Sequence, residues 1–147
     1  MTDDVDRPSW TLPLAFTKPL NLNDRPSISV AAMHGRRREV KAWRKHACDL
    51  ARAAHIPRVE RFTAVLHYQP RDNRKRDTHN LIRALKPLVD GLVDAGVCID
   101  DDTEHYRGTE PVIHPARKGE PGRLWLVVID LSADPGVQSA LPIDPTP

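Results

Sequence analysis

Residues 71 to 102 read RDNRKRDTHNLIRALKPLVDGLVDAGVCIDDD, and this stretch decides how the chain is organised. Its apolar positions recur at the spacing of one buried helix face. They are Leu81, Leu85, Leu88 and Leu92. Asp77 and Thr78 can cap the start of such a helix, and Gly96 can end it. The sequence therefore predicts an amphipathic helix, with a kink or break near Pro87 because proline lacks a backbone donor.

The side of this helix opposite the leucines carries a polar stripe. At about 100° per residue, four polar side chains fall within roughly 60° of one another. They are His79, Arg83, Lys86 and Asp90. We expect Val97 to Ile99 to form a short strand that returns beside the helix, which would bring the aspartates at 100 to 102 next to Asp77 and His79. Carboxylates that converge in this way form a hard-cation site of the kind that holds Mg²⁺.

Each of these residues also has a simpler interpretation. An aspartate at a helix start is more often a cap than a metal ligand. An acidic triplet is usually a solvated turn, and Lys86 with Asp90 is an ordinary i, i+4 surface pair. Arginine-rich loops are mostly solvated as well. Spacing alone therefore leaves both a metal site and a plain solvent-exposed face open.

The segments around this stretch predict one more helix and several strands. Arg37 to His55 has helical apolar spacing with a basic opposite face. Strands are predicted where residues alternate or are β-branched, and a turn at 117 to 122. The strands are Trp10 to Phe16, Ser27 to Ala31, Val59 to Tyr68, His105 to Ile113 and Arg123 to Leu131. These elements predict an α/β (α+β) fold, a two-layer sandwich in which a mixed sheet of about four to five strands packs on two main helices.

Length and composition predict a single domain. The 147 residues, 39% of them hydrophobic, suffice for one core. Residues 1 to 9 and 133 to 147 lack periodicity and are expected to be flexible tails around a domain spanning 10 to 132. No apolar run is long enough for a membrane span or signal peptide, which predicts a cytoplasmic protein without a membrane partner. Cys48 and Cys98 are predicted to be reduced core thiols.

The order of residues from Arg74 to Asp101 resembles the signature of the RusA family of Holliday junction resolvases. In that family R-R-D-x-D-N-L opens a helix, a Lys and D-x-L follow, and a glycine turn leads to an Asp pair. The matching positions here are Arg74, Asp77, Asn80, Leu81, Lys86, Asp90, Leu92, Gly96, Asp100 and Asp101. The resemblance covers about thirty residues closely, and Trp10 to Leu131 more loosely.

The resemblance implies a function and a setting. Proteins of this kind are small homodimeric endonucleases, often of phages and prophages, that need Mg²⁺ and nick four-way DNA junctions symmetrically. Two symmetric nicks fit a C₂ dimer with two equivalent sites. The expected location is the cytoplasm of a bacterial cell or phage-infected host. The alternative is a non-catalytic branched-DNA-binding protein with a degenerate metal site.

By position, the resemblance implies that Asp77 and Asp101 are catalytic metal ligands and that Asp100 is their acidic neighbour. Asp102 leaves the identity of the ligand open by one residue. His79 stands where the family has a second Asp, so it is expected to be a catalytic participant and a weaker or outer-sphere metal ligand. An imidazole in that place favours Mn²⁺ over Mg²⁺.

The family's lysine falls on either Arg83 or Lys86. We favour Lys86 as the catalytic cation because it keeps the Lys-x-x-x-Asp-x-Leu order, and a shift of about one helical turn preserves the face. The remaining basic residues would contact DNA phosphates and supply affinity without base readout. They are Arg36, Arg37, Arg38, Lys41, Arg44, Lys45, Arg71, Arg74, Lys75, Arg76 and Arg83.

Overall fold

The protein combines a mixed four-stranded sheet with two helices. A computed structural model describes residues 7–20, 30–76 and 78–133. Its elements in chain order are β1 (Ser9–Pro13), α1 (Val30–Ala53), β2 (Phe62–Gln69), α2 (Thr78–Asp94), β3 (Val112–Ile113) and β4 (Arg123–Asp130). The strand order is β1-β4-β2-β3, in which β4 pairs antiparallel with both β1 and β2, and β3 pairs parallel with β2. The predicted mixed sheet with two main helices is confirmed for these residues.

Alternation along the strands builds the core. Leu126 of β4 pairs with Leu12 on one side and Leu66 on the other. These leucines are at most 2% exposed and belong to one cluster with the apolar faces of α1 and α2. Burying each such side chain contributes about 1.5–3 kcal/mol, so this row holds the sheet against the helices.

Helix α2 continues through Pro87, so the predicted break is absent. Proline inside a helix costs about 3 kcal/mol because it removes one backbone hydrogen bond. Leu85 and Leu88 on either side of it are buried, and Pro87 itself is buried. Their packing offsets the cost of the proline and keeps the leucine face continuous, as the spacing predicted.

Helix α1 begins at Val30, seven residues before the predicted Arg37. The strand predicted for Ser27 to Ala31 is therefore wrong at Val30 and Ala31, and residues 27–29 lie outside the described residues. Val30 and Met33 are 66% and 45% exposed. Because this first part of the helix buries little, it shows none of the apolar periodicity that marks the rest.

The two helices touch closely at Gly91. A Cβ added there would lie 2.2 Å from the Arg44 carbonyl oxygen and 2.9 Å from Cβ of Ala47. Only glycine allows the helix backbones to approach this far. This contact brings the polar side of α1 to the polar stripe of α2.

The chain after α2 closes the helix instead of forming a strand. Gly96, at φ 88°, donates its N–H to the Val93 carbonyl, and Val97 donates to that of Leu92. This is the Schellman pattern of helix ends. The predicted strand at Val97 to Ile99 is wrong because the Val97 amide is used in this cap.

Only part of the strand predicted at His105 to Ile113 forms. Tyr106 makes an isolated parallel bridge with Phe62, and β3 supplies two further residues. Between them, Thr109 Oγ1 donates to the Ala64 carbonyl at 3.3 Å. Backbone hydrogen bonds pair the two ends of this edge of β2, and side-chain hydrogen bonds of Thr63 and Thr109 connect the stretch between them.

The remaining expectations concern boundaries and cysteines. Ser9 belongs to β1, so the strand starts within the predicted N-terminal tail. Residues 1–6 and 134–147 of the predicted tails lie outside the described residues. Cys48 and Cys98 are buried free thiols, as predicted. No helix in the described part of the chain is long and apolar enough to cross a membrane.

Candidate active site and nucleic-acid interface

Ion pairs connect the polar stripe of α2 to α1 and to the segment after α2. Arg44 donates to Asp94 at 2.6 and 2.8 Å. Lys86 Nζ lies 3.0 Å from Asp90 Oδ1 and 2.8 Å from Asp101 Oδ2, and Arg44 reaches Asp90 at 4.0 Å. We call these five residues the central ion network. Two cations and three carboxylates from three chain segments therefore largely neutralise one another.

The turn after α2 determines which aspartate meets Lys86. The Asp101 N–H donates to Asp100 Oδ1 at 2.8 Å, while Asp102 accepts a hydrogen bond from the His105 N–H and contacts the His105 ring. The Asp101 side chain is 23% exposed, against 47% for Asp102. Asp101 thus turns inward, and its neighbours Asp100 and Asp102 turn outward.

Charge pairing fixes the protonation of this site at neutral pH. The hydrogen bond from Lys86 lowers the pKa of Asp101, although partial burial acts in the opposite direction. Hydrogen bonds to Asp101 and then Asp90 raise the pKa of Lys86. Asp101 is therefore an ionised oxygen donor, and Lys86 is a fixed positive charge that cannot act as a base.

A groove of about 530 Å³ opens beside Lys86 and Asp101. Its apolar wall comes from α2 and includes Ile82 and Val89, and Tyr106 closes the opposite side. Burial, together with the charge of Asp101, raises the pKa of Tyr106 to about 12. The phenol therefore keeps its proton at neutral pH and can donate a hydrogen bond next to the ion pair.

The predicted metal ligands are brought together only in part. Asp77 lies outside the described residues, and His79 is exposed on the first turn of α2. Seven residues, roughly 10 Å along the helix axis, separate His79 from Lys86, the partner of Asp101. Residues 7–20, 30–76 and 78–133 contain no group of three His, Cys, Asp or Glu side chains placed to hold a metal. The predicted set of Asp77, His79, Asp100 and Asp101 stays a prediction.

A second charged region lies at the start of α2. The basic cavity, as we name it, has a volume of about 620 Å³, and Lys18, Arg71, Arg74 and Arg76 line it together with Asp72. Asp72 accepts hydrogen bonds from the side chains of Arg74 and Arg76 at 2.8–3.3 Å. These bonds, that of Arg74 first, lower the pKa of Asp72 far below its ordinary value. One carboxylate thus orients two of the four cations.

Other predicted DNA-binding residues lie outside this cavity. Lys75 and Arg83 are exposed near the start of α2 and on its surface. Four of those on α1 are in its first half, and Arg36 is half-buried while the other three are exposed. They are Arg36, Arg37, Arg38 and Lys41. The basic face predicted for this helix is thus on the surface.

Sequence reasoning missed several residues of these sites. Arg44 was predicted to contact DNA phosphates, but it pairs with Asp94, which is 50 positions away in the chain. Lys45, predicted for the same role, pairs with Asp49. Nothing in the sequence marked Tyr106 or Lys18 as a site residue, because each is a single polar group on an extended segment. Asp72 had a local signal: an aspartate within a run of arginines can organise them through hydrogen bonds. That signal could have been used.

Two comparisons with known proteins found no match. No family model matches the chain, and no curated protein matches it. The resemblance to the RusA signature therefore rests on the residues themselves and on their arrangement.

Proposed function

We propose that this protein is a metal-dependent endonuclease that nicks branched DNA. The observation that carries the proposal is the contact between Lys86 and Asp101, which are 15 positions apart. An ionised carboxylate and a lysine meet there at an open groove beside α2. A cluster of arginines lies at the start of the same helix. Phosphodiester hydrolysis requires a metal ligand, a cation for developing charge, and a phosphate-binding surface.

The residues fit a hard cation by donor chemistry. Asp101 and Asp100 offer carboxylate oxygens, which Mg²⁺ prefers, and Asp77 would complete the set. The ion pair with Lys86 uses only Oδ2 of Asp101. A bound Mg²⁺ would supply an activated water and stabilise charge on the phosphate.

The chain's own side chains would prepare the substrate. Lys86 is held between Asp90 and Asp101, lines the groove and remains protonated. Such a fixed ammonium can stabilise the charge that develops on a phosphate oxygen. The Tyr106 phenol can donate a hydrogen bond to the same DNA strand. Arginines of the basic cavity would hold phosphates further along it.

The expected substrate is a four-way DNA junction and the expected assembly is a homodimer. Both follow from the resemblance to RusA proteins and from the need for two symmetric nicks. A junction offers two equivalent strands, which one site alone would cut in separate binding events. The oligomeric state is measurable by light scattering of the purified chain.

Nicking of a synthetic four-way junction tests the function. The full chain with Mg²⁺ or Mn²⁺ should nick the junction in preference to linear duplex. Asp101→Asn should lower the rate by roughly a hundredfold or more and leave junction binding in place, because it removes a ligand and not a DNA contact. Asp102→Asn is the matched control, since Asp102 turns away toward His105.

Three results would count against this proposal. Nicking by Asp101→Asn at the wild-type rate would remove Asp101 from the active site. Loss of nicking in Asp102→Asn alone would move the carboxylate by one position. Absence of any nicking by a folded, junction-binding protein would favour the second candidate, a non-catalytic branched-DNA-binding protein. The ion pair that neutralises Asp101 and the histidine at position 79 favour that candidate.

A further inference from the structure

Two histidines and a tryptophan form a cluster on the sheet face that the helices do not cover. His67 of β2 pairs with Trp125 of β4, and the neighbouring pair, Leu66 and Leu126, belongs to the core. Side chains alternate along a strand, so the two rings lie on the opposite face from these leucines. His114 follows β3 directly, and the three ring centres are 5.0–5.2 Å apart.

Two ring nitrogens in this cluster face each other. His67 Nδ1 lies 2.9 Å from His114 Nε2. Two nitrogen ligands at about 2.0–2.1 Å from one metal ion are roughly 2.9 Å apart when the angle between them is 90°, and roughly 3.3 Å apart in a tetrahedron. The separation therefore matches two adjacent ligands of a square-planar or octahedral ion.

Both imidazoles are held in place by the sheet. His67 lies in β2, which pairs with β4 and β3 on its two sides. The His114 N–H donates to the Tyr68 carbonyl at 2.8 Å. The Trp125 ring stacks on both imidazoles, with interplanar angles of 8° for His67 and 26° for His114. Ligands positioned in this way lose less conformational entropy when a metal binds.

A metal can replace the hydrogen bond without a net loss of protons. In the neutral pair one ring donates its N–H to the lone pair of the other. When that proton moves to the outer nitrogen of its own ring, both inner nitrogens present lone pairs to the metal. Burial, and then the charge of a protonated His114, lower the pKa of His67. His67 is therefore unprotonated at neutral pH, as metal binding requires.

We propose that His67 and His114 form a binding site for a divalent late transition metal with right-angle geometry, Ni²⁺ or Cu²⁺. Imidazole nitrogen suits these ions, and tetragonal nitrogen sites are typical of them. In the described part of the chain no third His, Cys, Asp or Glu joins the pair, so water would take the other positions. Arg123, near Trp125, is exposed, and water screens its repulsion of the metal.

Such a metal would clip the edge of the sheet. Strand β3 has only two residues, and it joins β2 through the pairs His67 with Val112 and Tyr68 with Ile113. A metal bound by His67 and His114 would add a cross-link between the same two segments. The inference is independent of the proposed nuclease, because the proposed nuclease site offers carboxylate oxygens, which suit Mg²⁺.

A fluorescence titration tests the site. NiCl₂ is added to the full, untagged chain at pH 7.5, and tryptophan emission is recorded. Ni²⁺ is paramagnetic, so an ion bound by the imidazoles that contact Trp125 should quench its emission saturably. His67→Gln and His114→Gln, tested separately, should each raise the half-saturating concentration at least tenfold, since even outer-shell partners contribute roughly 10–100-fold to metal affinity.

Two control variants accompany the titration. His55→Asn removes an exposed histidine at φ 54°, a backbone conformation that asparagine tolerates, and should leave the quenching unchanged. Asp101→Asn should also leave it unchanged, which separates this site from the proposed active site. Quenching lost in Asp101→Asn and kept in the histidine variants would place the Ni²⁺ at the carboxylates and overturn the inference.

Thermal unfolding gives a second readout. A ligand that binds only the folded chain raises the Tm, so NiCl₂ should raise it for the wild type and much less for the glutamine variants. If the glutamine variants do not fold, Trp125→Phe keeps the test. It retains both imidazoles, so Ni²⁺ should still raise its Tm, while the saturable part of the quenching should be lost.

Three further results would overturn the inference. They are a wild type that shows neither saturable quenching nor a rise in Tm, quenching that both glutamine variants leave unchanged, and saturable quenching that persists in Trp125→Phe. None of these measurements contains DNA or Mg²⁺. A protein that binds Ni²⁺ here without nicking DNA would contradict only the proposed function, and a protein that nicks DNA without binding Ni²⁺ would contradict only the histidine site.

Discussion

The central ion network and the basic cavity lie along the same helix and balance their charges in opposite ways. In the network, Arg44 and Lys86 face three carboxylates and their charges are used within the protein. Among the described residues that line the cavity, Asp72 is the one carboxylate beside four cations. A region neutralised internally stabilises the contact between α1, α2 and the following turn. A region left with excess charge needs a partner from outside, and there we expect the affinity for an anion.

The largest expected effect breaks the network through its geometry. Gly91→Ala would place a methyl group 2.2 Å from the Arg44 carbonyl oxygen, so α1 must move away from α2. Overpacking of this kind costs about 1–3 kcal/mol or more of unfolding free energy. Urea unfolding should show the loss at pH 7.5.

Gly35→Ala is the matched control for that substitution. Gly35 also lies within a helix, but a Cβ there would meet only Arg38 Nη2 at 3.8 Å. Alanine should stabilise α1 by up to about 1 kcal/mol, because glycine is the poorer helix former. Equal losses in the two variants would show that helix contact at Gly91 does not limit stability.

The second prediction concerns the pH dependence of the unfolding free energy, which we expect to come from two histidines outside both charged regions. Burial lowers the pKa of His46, and burial and the nearby His114 lower that of His67. The unfolded chain then binds protons more readily, so their stabilisation is complete above the ordinary histidine pKa of about 6.5 and is lost as pH falls below it. The slope is at most about 1.4 kcal/mol per pH unit for each histidine.

Urea unfolding between about pH 7.5 and 5.5 measures this loss. Replacing His46 and His67 with Gln should flatten the curve, because an amide oxygen can still accept the Ala15 N–H that His46 Nε2 accepts at 3.0 Å. Carboxylates with lowered pKa values, such as Asp101, lose their contribution only at more acidic pH. An unchanged slope in the double variant would assign the effect to other groups.

The contrast between the two regions also explains what the sequence could predict. The arginine loop is local, at positions 71 to 76, so its charge was evident without a fold. The central ion network joins position 44 to 94 and position 86 to 101, and only the packing at Gly91 and the Schellman turn at Gly96 brings these together. Lys86 and Asp101 were chosen as site residues from the order of residues in the RusA-like signature, and not from hydrophobic periodicity.

The fold itself was predicted best where one face is buried. Alternation identified β2, a continuous β-branched apolar run identified β4, and leucine spacing identified α2. Prediction from the apolar pattern failed at Val30 to Arg36, because an exposed helix needs no apolar pattern. It also failed at Val97, whose backbone amide closes the end of α2 instead of pairing in a strand. Pro87 was overweighted because neighbouring leucines stabilise the helix around it.

The third prediction concerns His79, on the first turn of α2 between the two regions. If His79 contributes to a metal site with Asp77, wild-type nicking should be supported better by Mn²⁺ than by Mg²⁺. His79→Asp should then raise the Mg²⁺-supported rate relative to the Mn²⁺-supported rate by about tenfold, since Mg²⁺ prefers oxygen ligands.

Metal titrations of the nicking rate measure that ratio. Arg83→Gln, on the same helix face, is the control. Neither arginine nor glutamine at position 83 is expected to bind the metal, and a change in DNA affinity cancels in the ratio of the Mg²⁺-supported to the Mn²⁺-supported rate. A ratio that His79→Asp leaves unchanged would remove His79 from the ligand set. The site would then depend on Asp77 and the aspartates at 100 to 102.

The smallest effect has the most informative sign, and it concerns Asp72. Removing its charge relieves the repulsion of any phosphate in the cavity, but water screens that charge because the Asp72 side chain is 38% exposed. Asp72→Asn also releases Arg74 and Arg76, and immobilising such side chains again costs about 0.5–1.5 kcal/mol each. Orientation therefore outweighs charge, and we expect DNA and inorganic pyrophosphate to bind about threefold more weakly despite the more positive protein.

Asp49→Asn, which frees Lys45 on α1, is the control for charge alone and should leave pyrophosphate binding unchanged or slightly tighter. Tighter binding by both variants would mean that the cavity attracts anions only by its net charge, and the contrast between a prepared site and a merely basic surface would fail.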